Sequence, residues 1–155
     1  MDAPTPESTL RRAVPADADA VTECAKAAYE PYVAALGARP GPLLDDYAEL
    51  IRRHRVWVLE TEQTLVGFVI LIEKKEHALL DNVAVYPEHH GKGWGRRLIA
   101  LAETEARRSG YGEIQLYTHE GMQQNRDLYK RLGYEEFAER FERGLPRVYM
   151  RKPLV

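Results

Sequence analysis

The sequence predicts an α/β (α+β) domain with a mixed, mostly antiparallel sheet of six or seven strands, flanked by about four helices. β-Rich apolar runs at residues 55–60, 65–73 and 78–86 follow one another with only turns between them, which is typical of antiparallel strands. A segment with helical periodicity at 94–110 separates the third run from a further strand at 113–118, so these two strands should lie parallel. The chain has 155 residues, enough for one domain with a buried core.

The N-terminal part combines a polar tail, one strand and two helices. Residues 1–8 are polar and contain two prolines, so we expect a disordered tail followed by a single folded domain at 9–155. Residues 9–14 predict the first strand, and apolar residues at helical spacing then predict a helix that extends to about Leu36. A loop rich in glycine and proline follows, and a short second helix is predicted around 44–51.

The C-terminal part contains one helix and a hairpin. Helical spacing over residues 122–132 predicts a helix that ends at Gly133. Residues 134–142 and 147–152 are β-rich on either side of Gly144, which predicts a final antiparallel hairpin.

Composition excludes several classes of partner. The formal net charge is −2, so neither nucleic acid nor an anionic membrane is an expected partner. The chain has no apolar run of membrane-spanning length and no recognisable signal peptide. Cys24 is the single cysteine, so no intramolecular disulfide forms and a cytoplasmic location is expected. Because Cys24 sits on the apolar stripe of the first helix, we expect a core thiol rather than a nucleophile.

The stretch 78–95 joins a strand to a helix through a cluster of glycines. The first amide groups of a helix have no partner within the helix, and the helix dipole adds partial positive charge there, so this arrangement forms an anion site. Glycines lack a Cβ and let an anion approach the backbone. The glycines are Gly91, Gly93 and Gly95, and Lys92 and Arg96 add positive charge around them. An ordinary glycine-rich connection is the alternative.

Two familiar phosphate-binding motifs do not fit this stretch. Gly93 follows Lys92 where a P-loop needs Ser or Thr, and the glycines are spaced G-x-G-x-G rather than G-x-G-x-x-G. The pattern V-x-V-x-P-x-x-x-x-G-x-G-x-G-x-x-L instead resembles the pyrophosphate loop of the GNAT acetyltransferase superfamily. It is formed by Val83, Val85, Pro87, Gly91, Gly93, Gly95 and Leu98.

A second motif supports the same resemblance. Residues 125–134, NRDLYKRLGY, are similar to the GNAT segment whose tyrosine faces the coenzyme sulfur. Acetyl transfer from a thioester expels a thiolate, which the phenol of Tyr129 can protonate. Asn125 lies one helical turn before Tyr129 and can bond the amide arm of the cofactor.

The resemblance implies that acetyl-CoA is the cosubstrate, with its pyrophosphate on the loop amides. If the strands at 78–86 and 113–118 splay apart, the pantetheine arm can bond to the main chain of Val83 and Val85 like an added strand. An amide near 82–83 would then stabilise the tetrahedral oxyanion. The expected cofactor-binding residues are Val83, Val85, His90, Gly91, Lys92, Gly93, Trp94, Gly95, Arg96, Asn125 and Tyr129.

The general base is the main departure from the family pattern. Some members carry a catalytic glutamate where this chain has Leu79 and Leu80. The alternatives are Glu73, Asp81 and Asn82, acting directly or through water, with His77 and His119 as weaker candidates. Tyrosines near the junction of the first two helices are candidate acceptor contacts, namely Tyr29, Tyr32 and Tyr47.

The resemblance implies transfer of an acetyl group from acetyl-CoA to a primary amine of a small molecule or peptide. Direct attack in a ternary complex is expected, since Cys24 is poorly placed to form an acetyl-enzyme. No metal is expected, because the adjacent residues His89 and His90 lack a patterned third ligand. A non-catalytic acyl-CoA sensor and a nucleotide-binding protein are the alternatives. Dimers are common in the resembled family, which leaves a homodimer open.

Overall fold

The computed structural model describes residues 7–37, 39 and 41–154 as a single seven-stranded sheet with helices on both faces. The strand order is β1-β2-β3-β4-β5-β7-β6. The strands are β1 Ser8–Arg12, β2 Arg55–Thr61, β3 Thr64–Glu73, β4 Ala78–Val85, β5 Glu113–His119, β6 Glu135–Glu142 and β7 Leu145–Pro153. The α-helices are α1 Ala18–Tyr29, α2 Pro31–Leu36, α3 Tyr47–Arg53, α4 Trp94–Arg108 and α5 Gln123–Arg131.

The predicted sheet is confirmed. Every neighbouring pair of strands is antiparallel except β4 and β5, which are parallel on either side of the crossover helix α4. Gly67 on β3 lies so close to β4 that a Cβ there would approach the carbonyl oxygen of Ala84 to 2.7 Å. A bulge in the β2–β3 ladder lies beside it, as expected for a glycine within a strand.

The central strand β3 is buried on both faces, which explains its nearly continuous apolar sequence. Val69 and Leu71 belong to a core cluster with α4, while Phe68 and Ile70 belong to a second cluster with α1 and α3. Alternate residues of a strand point to opposite faces, so a two-sided strand has no polar face. The two helical layers therefore hold β3 and its neighbour β4 in the middle of the domain.

The helix expected to extend to Leu36 is instead two helices. Pro31 has no amide hydrogen, so it cannot donate to the preceding helical turn. The last bond of α1 runs from the amide of Glu30 to the carbonyl of Lys26 at 2.9 Å, and α2 begins at Pro31. The break separates Tyr29, on the first helix, from Tyr32, on the second.

A bulge in β4 opens the sheet. Ile70 pairs with Asn82 and Leu71 pairs with Leu80, which leaves Asp81 as the extra residue of β4. The parallel pairing of β4 with β5 ends at the same point, since its last pair is Leu80 with Leu116. Because a bulge bends its strand, β4 and β5 diverge beyond Asp81 and leave a gap between their carboxyl ends. The predicted splayed strand pair is thus confirmed, and the bulge is its cause.

No helix within residues 7–37, 39 and 41–154 is long and apolar enough to cross a membrane. The expected disordered tail falls largely on residues 1–6, outside the described residues, while Ser8 already begins β1. The division into a tail and one domain stays a prediction.

Candidate active site

The loop after β4 presents free amides at the start of α4. Gly91 and Gly93 both have φ of 82°, a left-handed conformation that favours glycine. The first helical bond joins the amide of Arg97 to the carbonyl of Gly93 at 3.1 Å. The amides of Trp94, Gly95 and Arg96 therefore have no partner within the helix. Their hydrogens and the helix dipole make this end of α4 electropositive.

A groove leads from this loop along β4 to helix α5. Lys92 does not line the groove, because its Nζ lies at the surface, 3.4 Å from the Nδ1 of His89. Tyr32 from α2 forms part of the groove wall. The other predicted cofactor residues all line it: Val83, Val85, His90, Gly91, Gly93, Trp94, Gly95, Arg96, Asn125 and Tyr129.

The backbone of β4 faces the groove with its amides free. The amide of Tyr86 donates to Val66 of β3 at 2.9 Å, and alternate residues turn their backbone groups to opposite sides. Val83 and Val85 therefore turn theirs toward the gap. Their carbonyls already accept bonds, from the Tyr29 hydroxyl at 3.1 Å and from a ring nitrogen of His90 at 2.9 Å. Their amide hydrogens remain available to a ligand.

Tyr129 stands where the groove meets a second, inner cavity. Its side chain extends from α5, is only 7% exposed, and packs edge-on against Tyr134 with the ring centroids 5.9 Å apart. Burial raises the pKa of Tyr129, so the phenol stays protonated at neutral pH. Val83, Asn125 and Tyr129 line both spaces. The two spaces therefore adjoin at the phenol, and the two together are called the passage.

The inner cavity occupies the gap between β4 and β5. Its walls come from the two strands, from the turn at Gly41 and Pro42, and from the start of β7. The polar side chains that line it are Tyr29, Asp81, Asn82, Tyr117, Thr118, His119, Asn125, Tyr129 and Arg147. A carboxylate, a phenol, an imidazole and a guanidinium are therefore gathered in one small space.

Asp81 is the carboxylate of the inner cavity. The bulge directs its side chain to the cavity, where its Oδ1 accepts a hydrogen bond from the Tyr117 hydroxyl at 2.9 Å. Burial raises the pKa of Asp81, and the nearby charge of Asp45 acts in the same direction. The bond from Tyr117 and the charges of His54 and Arg147 partly oppose this rise. A carboxylate with a raised pKa is a better proton acceptor than an ordinary one.

The side-chain amide of Asn82 is held by two tyrosines. Its Oδ1 accepts from Tyr29 at 2.6 Å and its Nδ2 donates to Tyr47 at 3.0 Å. The Tyr47 hydroxyl in turn donates to the carbonyl of Pro42 at 2.6 Å. Tyr47 packs against Phe68 in the core and lines neither space. The prediction that Tyr47 contacts the acceptor is therefore replaced by a supporting role behind Asn82.

Glu73 lies outside both spaces. It is at the end of β3, where its carboxylate contacts Arg55 at 3.2 Å and is about half exposed. His77 also lines neither space. His119 does line the inner cavity, with its Nδ1 accepting from the amide of Gly121 at 3.0 Å. Of the five base candidates, only Asp81 and His119 reach the cavity with a proton-accepting group.

Tyr117 and Arg147 are site residues that the sequence did not single out. Both lie on predicted strands, where nothing local distinguishes an inward position from an outward one. The signal that was available is the charge of Arg147 within an apolar run. Cys24, by contrast, is buried as expected, and burial raises its pKa to about 12. Its thiol is thus poorly suited to act as a nucleophile.

Sequence comparison assigns this architecture to a family. Residues 20–134 match the family described as "Acetyltransferase (GNAT) family". The chain belongs to the GNAT family. The match includes β4, the glycine loop, α4 and Tyr129, so the groove lies within the matched residues, whereas Leu145 and Arg147 of the inner cavity lie outside them.

Relatives of this GNAT chain include the uncharacterized N-acetyltransferase YycN of Bacillus subtilis (strain 168), 27% identical over 88 residues. That match takes in 54% of this chain and 56% of YycN, so the chain spans about half the length of its curated relative. PaiA N-acetyltransferase of Thermoplasma acidophilum, solved with coenzyme A, superimposes with a TM-score of 0.79 at 20% identity, covering 95% and 99% of the two chains. YncA of Salmonella typhimurium, solved with its cofactor acetyl-CoA, gives 0.72 at 23% identity, covering 96% and 95%.

Proposed function

We propose that this protein transfers an acetyl group from acetyl-CoA to a primary amine of a small molecule or peptide. The observation that carries the proposal is the passage itself. An electropositive groove and a cavity with a carboxylate meet at the phenol of Tyr129. Cofactor and acceptor would enter from different sides and meet there, which favours direct attack in a ternary complex.

In this proposal the glycine loop binds the cofactor diphosphate. The amides of Trp94, Gly95 and Arg96 point outward from α4, and no side chain of Gly91 or Gly93 obstructs them. The pantetheine arm then follows β4, with its amide groups bonded to the free amide of Val85 and to Asn125, which leaves the free amide of Val83 for the thioester carbonyl. Coenzyme A and acetyl-CoA in the solved structures of PaiA and YncA support a cofactor of this class.

The chemical steps use residues on both sides of the thioester. Asp81 removes a proton from the acceptor ammonium, directly or through one water molecule, and the neutral amine attacks the thioester carbonyl. The amide near Val83 stabilises the tetrahedral oxyanion. When the carbon–sulfur bond breaks, the Tyr129 phenol donates its proton to the thiolate. The cationic nitrogen of the intermediate loses its second proton, which restores the phenol directly or through solvent, and Asp81 releases its proton to solvent. The products are the acetamide, coenzyme A thiol and one proton.

The experiment that tests the proposal is release of free thiol from acetyl-CoA by the purified protein across a panel of amines. Amine-dependent thiol release is the expected result. Binding of acetyl-CoA without release under any acceptor would instead favour the sensor. Calorimetry with coenzyme A and with ATP tests the alternative of a nucleotide-binding protein, because such a protein would gain no affinity from the pantetheine arm.

Replacement of Gly93 by alanine is expected to weaken coenzyme A binding. A residue with a Cβ is strained in the left-handed conformation by about 1–2 kcal/mol, and Gly93 has φ of 82°. The loop would shift to relieve the strain, which moves the helix amides and raises the Kd for coenzyme A about tenfold by calorimetry. Gly112→Ala is the matched control, because a Cβ there meets open space. Equal affinity in both variants would contradict the role of the loop.

The acid limb of the pH profile is expected to report Asp81. The base acts in its ionised form, so kcat/KM should rise as pH increases through the pKa of Asp81. Because burial raises that pKa, the limb should lie above about pH 4, the ordinary value for aspartate. Initial rates with one acceptor from pH 4 to 9 measure it. A limb at or below the ordinary value would argue against a buried base.

A further inference from the structure

Arg147 is a buried cation whose hydrogen-bonding capacity is incompletely used. It is 7% exposed, and its Nη2 has no hydrogen-bond partner among residues 7–37, 39 and 41–154. Its Nη1 lies 3.6 Å from the Oε1 of Glu142, which already accepts from the Tyr149 hydroxyl at 2.5 Å. Burying a charged donor without an acceptor is costly. An unsatisfied group of this kind calls for an explanation, and a ligand that supplies the acceptor is one.

Arg147 lies at the wall of the inner cavity, with its unpaired Nη2 packed against the turn after α2. A Cβ on Gly41 would approach this nitrogen to 2.7 Å. Gly41 and Arg147 both line the inner cavity, and neither lines the groove of the cofactor. Arg147 is therefore on the side where the acceptor would bind. The absence of a side chain at Gly41 leaves the room that this guanidinium occupies.

Tyr117 contacts both Arg147 and the proposed base. Its hydroxyl donates to Asp81 at 2.9 Å, while the guanidinium carbon of Arg147 lies 4.3 Å from the centre of its ring. One tyrosine side chain thus contacts a negative group and a positive one within the same cavity. An acceptor with a single ammonium group would use Asp81 and leave Arg147 unpaired. An acceptor with a second ammonium group would be repelled by Arg147.

From this arrangement we infer that the acceptor is an amino carboxylate, whose carboxylate binds Arg147 while its amine lies beside Asp81. The inference rests on the proposed acetyl transfer and names the acceptor class. A guanidinium matches the two oxygens of a carboxylate in a planar fork, and such charge-assisted bonds are among the strongest available to a binding site.

The test compares acceptors that differ only in charge. The wild-type protein is assayed for thiol release with ω-amino carboxylates from glycine to 6-aminohexanoate and with the corresponding carboxamides. We expect at least one of the carboxylates to exceed its carboxamide in kcat/KM by about 10- to 100-fold, the range of a charged hydrogen bond, mainly through a lower KM. Release with the carboxamides but no carboxylate preference at any length would overturn the inference and leave the proposed function standing.

Variants then identify the group responsible. Arg147→Met keeps an unbranched apolar chain of similar shape as far as Nε but removes the charge and the donors. It should reduce the ratio of carboxylate to carboxamide in kcat/KM to near 1 while neutral amines still react. Arg151→Gln is the matched control, because Arg151 lies on the same strand, is exposed and pairs with Glu135. It should keep the wild-type ratio. A preference that survives Arg147→Met would contradict the assignment.

Two further measurements keep the inference testable if Arg147→Met does not fold or no turnover is found. Gly41→Ala displaces the guanidinium without removing it, and should lower the same ratio. The melting temperature of the coenzyme A-saturated wild-type protein should rise more with the preferred carboxylate than with its carboxamide. Equal shifts would overturn the inference, whereas unequal shifts without any thiol release would overturn only the proposed acetyl transfer.

Discussion

Asp81→Asn is expected to lower kcat by about 100-fold or more, because a positioned general base contributes roughly 10²–10⁴ to the rate. Asparagine has nearly the same shape and can still accept the hydrogen bond from Tyr117, so the cavity should keep its form. The affinity for coenzyme A should be unchanged, since Asp81 does not line the groove. Steady-state rates and calorimetry on the same preparation measure both quantities.

The same substitution should not destabilise the protein at pH 7. The folded state raises the pKa of Asp81, so between the unfolded and folded pKa values the folded chain alone holds the proton. Stability therefore falls as pH rises through that window, and the penalty persists above it. Asparagine carries no charge to desolvate, so the melting temperature of the Asp81→Asn variant at pH 7 should equal or exceed that of the wild type.

Glu73→Gln is the matched control for the loss of a carboxylate. Glu73 pairs with Arg55 at the end of β3 and lines neither the groove nor the cavity. The kcat of the Glu73→Gln variant should therefore remain at the wild-type value. If Asp81→Asn retains full activity, the base is elsewhere. His119 is then the next residue to replace, as the other candidate in the cavity.

Tyr129→Phe is expected to lower kcat by about 100-fold while the Kd for coenzyme A changes little. The substitution removes only the hydroxyl, and the ring should keep its contact with Tyr134. The loss follows from the role of the phenol as proton donor to the departing thiolate, a step of the same rough size as general base catalysis. Single-turnover thiol release measures the chemical step apart from product release.

The loss in Tyr129→Phe should depend on the leaving group. Thioesters whose thiols are more acidic need less protonation, so the variant should approach the wild-type rate as the thiol pKa falls. Tyr134→Phe is the control tyrosine, because its hydroxyl donates to Glu103 in the core at 2.9 Å and lines neither space. An unchanged kcat in Tyr129→Phe would remove the phenol from the mechanism.

The sequence predicted the residues that line the groove better than those that line the inner cavity. A loop of left-handed glycines followed by the start of a helix depends on residues that are close together in the sequence, such as Gly91 and Gly93. The turn from Asn125 to Tyr129 is equally local. These residues were therefore found by spacing and by resemblance. Lys92 was included with them because sequence gives no side-chain direction, and it does not line the groove.

The lining of the inner cavity depends on contacts between distant parts of the chain. The bulge that selects Asp81 arises from the register of β4 against β3, which alternation alone does not specify. Tyr29 and Tyr47 lie on neighbouring helices. Tyr47 supports Asn82 from the core, whereas Tyr29 lines the cavity. Arg147 becomes a candidate site residue only when β7 is placed between β5 and β6.

A crystal structure with bound coenzyme A tests the central claim most directly. The claim is that the glycine loop holds the diphosphate and thereby places the sulfur at the phenol between the groove and the inner cavity. It predicts phosphate oxygens within hydrogen-bond distance of the amides of Trp94, Gly95 and Arg96, and the sulfur in contact with the Tyr129 hydroxyl. Phosphates bound away from the start of α4, or a sulfur far from Tyr129, would contradict it.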